Sequence, residues 1–201
     1  MKTMGKSMLQ SMAAILVFTV LCGVIYTGIV TLVAQIAFPY QSNGSMITVD
    51  GSNYGSELIG QDFTGEEYLW GRMMKIDTST YVSADGSPLM YAGPFNLSPA
   101  SDQLAALVAA RTSEIKDADT TAALTSIPVD LITGSGSGLD PYISVEAAEY
   151  QAERIARVRG ISASAVEKII NAYTVPKLFG FMGENVVNVL KVNLALDGIS
   201  G

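Results

Sequence analysis

The sequence has no histidine and a single cysteine, Cys22. Without histidine there is no Ser-His-Asp triad, no Cys-His pair and no histidine-metal centre. With one cysteine there is no intrachain disulfide and no cysteine-zinc site. Carboxylates, lysines and tyrosines remain for catalysis, and no nucleophile–base pair stands out among them. Charge is also sparse, at 15% of residues, and residues 11–38, SMAAILVFTVLCGVIYTGIVTLVAQIAF, carry none. As a helix this stretch would be about 42 Å long, against a bilayer hydrocarbon core of about 30 Å. It is read as a transmembrane helix closed by Pro39, with Tyr40 in the interfacial belt. A cleaved signal peptide has an apolar run about half as long and ends in an A-x-A site, which is missing here.

Lys2 and Lys6 precede the run, and the next basic residue is Arg72. The positive-inside rule therefore predicts a cytoplasmic N-terminus (1–10), a span (11–38) and an extracytoplasmic domain (39–201). That outer part has 10 basic and 19 acidic residues, a balance of −9 that repels nucleic acid and anionic lipid. Within the span, Thr19, Gly23, Thr27, Thr31 and Gln35 recur at four-residue spacing. Small and hydroxyl-bearing residues in such a stripe let a partner helix approach closely and hydrogen-bond to it. They also occur in membrane helices that satisfy only their own backbone.

Past the linker YQSNGS, the run MITVD-GSNYG-SELIGQ predicts two short strands about a turn. In YLWGRMM the aromatics point to buried packing or a contact surface. Residues 78–99, rich in Gly, Pro and Ser, read as a long loop. Leu104, Leu107, Val108, Arg111 and Ile115 fall at helical spacing after Ser98-Pro99 and predict a helix over 100–117. IPVDLIT reads as a strand. Ser144 suits the cap of a helix reaching about Arg159 and stopped by Gly160. Ser164-x-x-Glu167 suggests a capping box for a helix to about Tyr173. Val186 to Leu196 alternates and reads as a half-buried terminal strand. Together these predict one N-terminal transmembrane helix plus a compact mixed α+β (or α/β) soluble domain.

Between these elements lies PVDLITGSGSGLDPYIS. A Walker A loop needs Gly-Lys-Ser/Thr, but this loop has no lysine, and Asp140 follows it where a phosphate would be repelled. Gly134, Gly136 and Gly138 alternate with serine, which is not the dinucleotide spacing. A turn permitting close backbone approach fits better. Asp130 and Asp140, the latter before Pro141, read as caps or turn formers and not as an acid/base pair. No D-x-D-x-D-G calcium run is present, and no metal site is expected. Asn43-Gly-Ser45 and Asn96-Leu-Ser98 match the glycosylation sequon by pattern alone.

GSELIGQDF, IPVDLITGSGSGLDPYIS and GENVVNVLKVNLALD, behind one N-terminal span, resemble the C subunit family of the Kdp-type potassium-transporting ATPases over essentially the whole chain. The chain departs from the family pattern at Met73-Met74-Lys75 after Arg72, at 91–99 (YAGPFNLSP), and at Tyr142. The resemblance implies a non-catalytic accessory subunit of an inner-membrane complex that imports potassium with ATP. Its companions would be a channel-like A subunit, a P-type catalytic B subunit and a small F subunit. The family is also described as a catalytic chaperone that raises the ATP affinity of the B subunit, with a glutamine likened to that of ABC transporters. Gln151 is the candidate here for that nucleotide-binding role. No cofactor of its own is implied, ATP being met through the catalytic subunit. A direct nucleotide-binding regulator, or a tethered module for a sugar or peptide, are the alternative readings. An outside domain conflicts with direct contact to cytoplasmic ATP.

Overall fold

The computed structural model describes residues 2–119 and 126–199. The chain divides into two compact units, Met1–Met46 and Ile47–Gly201. The first is a long helix in three parts: α1 (Lys2–Phe18), a π-helical stretch (Thr19–Tyr26) and α2 (Thr27–Ala37). Gly5–Ala37 is long and apolar enough to cross a membrane, and its large apolar side chains, such as Leu16, Val24, Ile29 and Ile36, are exposed. The helix stops where expected. Phe38 leaves the helical region, and Pro39 opens a single turn, α3 (Pro39–Ser42). There Asn43 donates to the Pro39 carbonyl and pairs with the Gln35 amide.

In the second unit, β1 (Met46–Val49) and β2 (Ser52–Ser56) form a two-stranded sheet. Asp50 and Gly51 between them both have positive φ, the two-residue turn that Asp-Gly favours. The core is built from α6 (Val145–Tyr150), α7 (Ala152–Arg159), α8 (Ala163–Ala172) and α9 (Val189–Leu196), with a three-stranded antiparallel sheet. Its order is β5-β7-β6, from β5 (Tyr142–Ser144), β6 (Thr174–Val175) and β7 (Val186–Asn188). Ile143 and Val187 from the sheet meet Ala147, Ala148, Ile155, Val166, Ile170 and Val192 from the helices, all buried. Ser144 caps α6 by accepting from Ala147 N at 3.2 Å, and Gly160 ends α7 in the left-handed region. Both were expected.

α4 (Asp102–Ala118) turns Ile115, Arg111, Val108, Leu107 and Leu104 to its less exposed side, as the spacing predicts, although Ser101 is the capping residue. Four readings are corrected. IPVDLIT does not form a strand: Val129–Ile132 is a helical turn, α5, after Pro128. The cap of α8 is Ser162, not Ser164, accepting from Ala165 N at 3.2 Å. The terminal segment is a strand only to Asn188, whose side chain accepts from Lys191 N and starts α9. A nearly continuous apolar run satisfies both periods, and the cap decides between them. Residues 78–99 are not structureless. β3 (Lys75–Val82) pairs antiparallel with β4 (Pro88–Gly93), with an irregularity between Asp77 and Tyr81.

Candidate functional site

The glycine loop joins α5 to β5, and its close neighbours are the Gly93 main chain and the Phe95 ring. A Cβ on Gly138 (φ +73) would lie 2.2 Å from the Gly93 carbonyl oxygen, and one on Gly134 would lie 2.5 Å from the Phe95 ring. On another side Gly60 N donates to Leu139 O at 2.7 Å, and a Cβ on Gly60 would be 2.8 Å from Asp140 O. Gly136, at the exposed tip, has nothing nearby. Successive amides of the loop are taken up internally. Ser135 Oγ accepts from Gly138 N at 2.8 Å and from Asp140 N at 3.4 Å, and Ser137 Oγ from Leu139 N at 3.1 Å. A phosphate cradle presents free N–H groups, whereas here serine hydroxyls hold those of Gly138, Leu139 and Asp140. Pro141 O accepts from Val189 N at 3.0 Å, tying the end of the loop to α9.

Asp140 forms the local turn that its place before Pro141 suggests, whereas Asp130, inside α5, is neither cap nor turn former and reaches a main-chain amide fourteen residues on. Asp130 Oδ2 accepts from Ser144 N at 2.8 Å and Asp140 Oδ1 from Tyr142 N at 3.0 Å. Both also pair with Arg72, at 2.7 Å and 3.3 Å. One guanidinium therefore fastens both ends of the loop to the strand-less segment 66–74, where Met73 N donates to Thr133 O. Outside the loop, Leu58, Ile59, Ser135, Ser137 and Tyr142 border an open depression of about 510 Å³.

Segment 66–71 has no regular ladder partner, and its buried main chain is satisfied by side chains one at a time. Asn193 accepts from Leu69 N (2.7 Å) and donates to Leu69 O (3.0 Å). Gln151 repeats the pattern on the next residue, accepting from Trp70 N (2.9 Å) and donating to Trp70 O (3.1 Å). Gln151 also donates to Ala147 O (3.0 Å) and accepts from Arg154 (2.7 Å). Arg154 continues to the carbonyls of Glu66 and Tyr68, and Arg159 to those of Glu67 and Leu196. The Trp70 ring lies between Arg111 and Arg154, whose guanidinium carbons are 4.9 Å and 4.5 Å from its centroid. Burial pushes the pKa of Arg154 down to about 10, so it remains charged at neutral pH. The Tyr68 hydroxyl, donating to Asp197, is held above its ordinary value.

Gln151 is thus buried (3% exposed) with all four of its amide hydrogen-bonding positions in use. Residue type and spacing do not single out Arg72, Arg154 or Asn193, and mark Arg111 only as part of a helix face. Arg154 and Asn193 lie at helix positions that face inward, where a polar residue among apolar ones is the available signal. Among the described residues no group of three or more His, Cys, Asp or Glu gathers as a metal site.

In the helical unit, Thr27 Oγ1 donates to Cys22 O at 2.9 Å, five residues back, and Gln35 pairs with Asn43. Thr19, Gly23 and Thr31 are exposed. A four-residue step overshoots an α-helical turn by about 40°, so five residues so spaced would wind around a plain α-helix. The wider i→i+5 winding of Thr19–Tyr26 swings the other way.

A candidate membrane-spanning helix followed by an α+β domain fits a single-pass membrane protein, with a domain knit by a buried amide–guanidinium frame. The family model for KdpC, the K+-transporting ATPase c chain, matches residues 8–198, and the chain belongs to that family. The Potassium-transporting ATPase KdpC subunit of Clostridium perfringens is 53% identical to it, covering 94% of this chain and 96% of its own. Those of Herpetosiphon aurantiacus and Methylococcus capsulatus are 47% and 44% identical, over 94% and 92% of this chain and 94% of their own.

Proposed function

We propose that this chain is a non-catalytic accessory subunit of an ATP-driven potassium-import complex, needed for its assembly and activity. The observation that carries this is the family match across nearly the full length of chain. Its companions are a channel-like A subunit, a P-type catalytic B subunit and a small F subunit. The stripe Thr19, Gly23, Thr27, Thr31 and Gln35 docks against one of them in the membrane, with the N-terminus cytoplasmic and the domain outside. Any rise in the ATP affinity of the catalytic subunit then passes through subunit packing, as a coupling free energy typically of about 1–3 kcal/mol. The saturated amide of Gln151 and the self-capped glycine loop both argue against contact with nucleotide.

The test is complementation. Cells deprived of this chain should fail to take up potassium at limiting concentration, and the tagged full chain should restore uptake and carry the companion subunits through purification. Uptake that is unchanged without the chain would defeat the reading.

A further inference from the structure

Between β6 and β7 the chain makes a tight excursion, PKLFGFMGEN. Leu178 and Met182 form an antiparallel bridge with reciprocal backbone bonds of 2.9 Å and 3.0 Å. Phe181 N donates to Leu178 O and Gly180 N to Lys177 O. Lys177 N donates to Asn185 Oδ1 at 3.0 Å, so the base is fastened as well. Yet this ordered tip carries apolar side chains outward: Leu178 is 60% exposed, Phe179 79%, Phe181 75% and Met182 50%. Phe179 and Gly180 both have positive φ, the pair of conformations that Asn-Gly normally supplies. A phenylalanine there is strained, and its exposed ring gains nothing within the chain to offset the strain.

We propose that residues 178–182 form a preformed apolar knob that inserts into an aliphatic cleft on the extramembrane face of a companion membrane subunit; this rests on the accessory-subunit reading above. Three observations favour that occupant. The knob has no unpaired cationic rim: Lys177 is bonded to Glu184 at 2.9 Å, and Glu184 is itself largely exposed. Loops and helices that bind anionic bilayers surround their apolar face with Lys and Arg, and the domain's balance of −9 opposes such a surface. The exposed apolar area is on the order of 400 Å², at the scale of a functional patch. A stable dimer needs roughly 800 Å² per partner, so two knobs do not hold two copies together. A small aromatic anchor suffices when the domain is already tethered beside its partner by a membrane helix, because the second contact is then intramolecular. Phe and Met are also enriched at the centres of interfaces.

The experiment uses the full chain within its complex, solubilised from membranes. Phe179→Asn places at the strained position a residue that tolerates it, and Phe181→Asn removes the second ring. The expected result is a single-substituted Phe179→Asn chain at least as heat-stable as the original. The doubly substituted chain should retain at most a tenth of the companion subunits and a comparably reduced potassium uptake. A photo-crosslinking phenylalanine analogue at position 179 should join the chain to a companion subunit. Undiminished co-purification of the double variant overturns the knob, as do adducts only to lipid or to a second copy of this chain. If instead the unsubstituted chain brings down no companion subunit, the accessory-subunit reading itself fails, which separates the two failures.

Discussion

Gly136 and Gly138 stand two residues apart in one loop and meet different surroundings. A methyl at Gly138 would strike the Gly93 carbonyl from a left-handed backbone, while one at Gly136 would project into open space. Gly138→Ala is therefore expected to destabilise the domain by about 2–3 kcal/mol. Gly136→Ala should stay within about 0.5 kcal/mol. Thermal denaturation of the purified full chain, followed by circular dichroism, gives both values, and equal effects would show that the loop is not held as described. The same contrast shows what was legible at this scale. That the glycines permit close approach, and that Asp140 forms a turn, could be read from residue type and order; that Asp130 reaches Ser144 N could not. That Arg72 joins the two aspartates, and that Gln151 and Asn193 grip successive residues of an unpaired segment, could not. Those contacts span up to 124 positions, as between Asn193 and Leu69, and no local pattern encodes them.

Among the elements, the β3–β4 hairpin turns on Ser83–Ser87. Asp85 accepts from Ser87 N at 3.0 Å and from the hydroxyls of Ser83 and Ser87. These bonds, the Ser83 hydroxyl first, hold its carboxyl at about 2. A depressed carboxyl stabilises the turn above its ordinary pKa, and the effect is lost as pH falls from about 4 through 2. Amide exchange at Gly86 and Ser87, corrected for intrinsic rate, should be slow at pH 5 and accelerate toward pH 2. Asp85→Ala should show the fast rate already at pH 7. This hairpin escaped the sequence because β3 is largely exposed on both faces, which removes the alternation that marks a half-buried strand, and because Gly, Pro and Ser crowd its turn. The membrane helix was legible from absence of charge alone, but its π-helical stretch was not, since nothing in TVLCGVIY signals wider winding. Along that helix, Gly23→Leu fills the position where a partner backbone would approach. It is expected to lower recovery of companion subunits several-fold after solubilisation, and unchanged recovery would remove the stripe from the interface.

For the whole molecule, the decisive question is the side of the membrane on which the domain lies. Ser137 is exposed at the tip of the glycine loop, and Cys22 is the one native thiol. With Cys22→Ala and Ser137→Cys, a membrane-impermeant thiol reagent should label the loop in intact cells as fully as in permeabilised ones. Labelling only after permeabilisation would reverse the orientation and return nucleotide contact to consideration. The overall plan, one span and an α+β domain, was available from composition and spacing. The path of the polypeptide through the domain was not, because segment 66–71 is ordered by Gln151 at the junction of α6 and α7 and by side chains from α7 and α9.

Trp70 is the chain's one tryptophan, 4% exposed and set between two guanidinium groups. A ring so enclosed emits at shorter wavelength than one in water, and nearby cationic groups alter its yield. The domain therefore carries a built-in optical gauge at the centre of its frame. Loosening of Gln151, Arg154 or Arg111 during transport would register as a change in colour or brightness, with no added label and no competing indole in this chain.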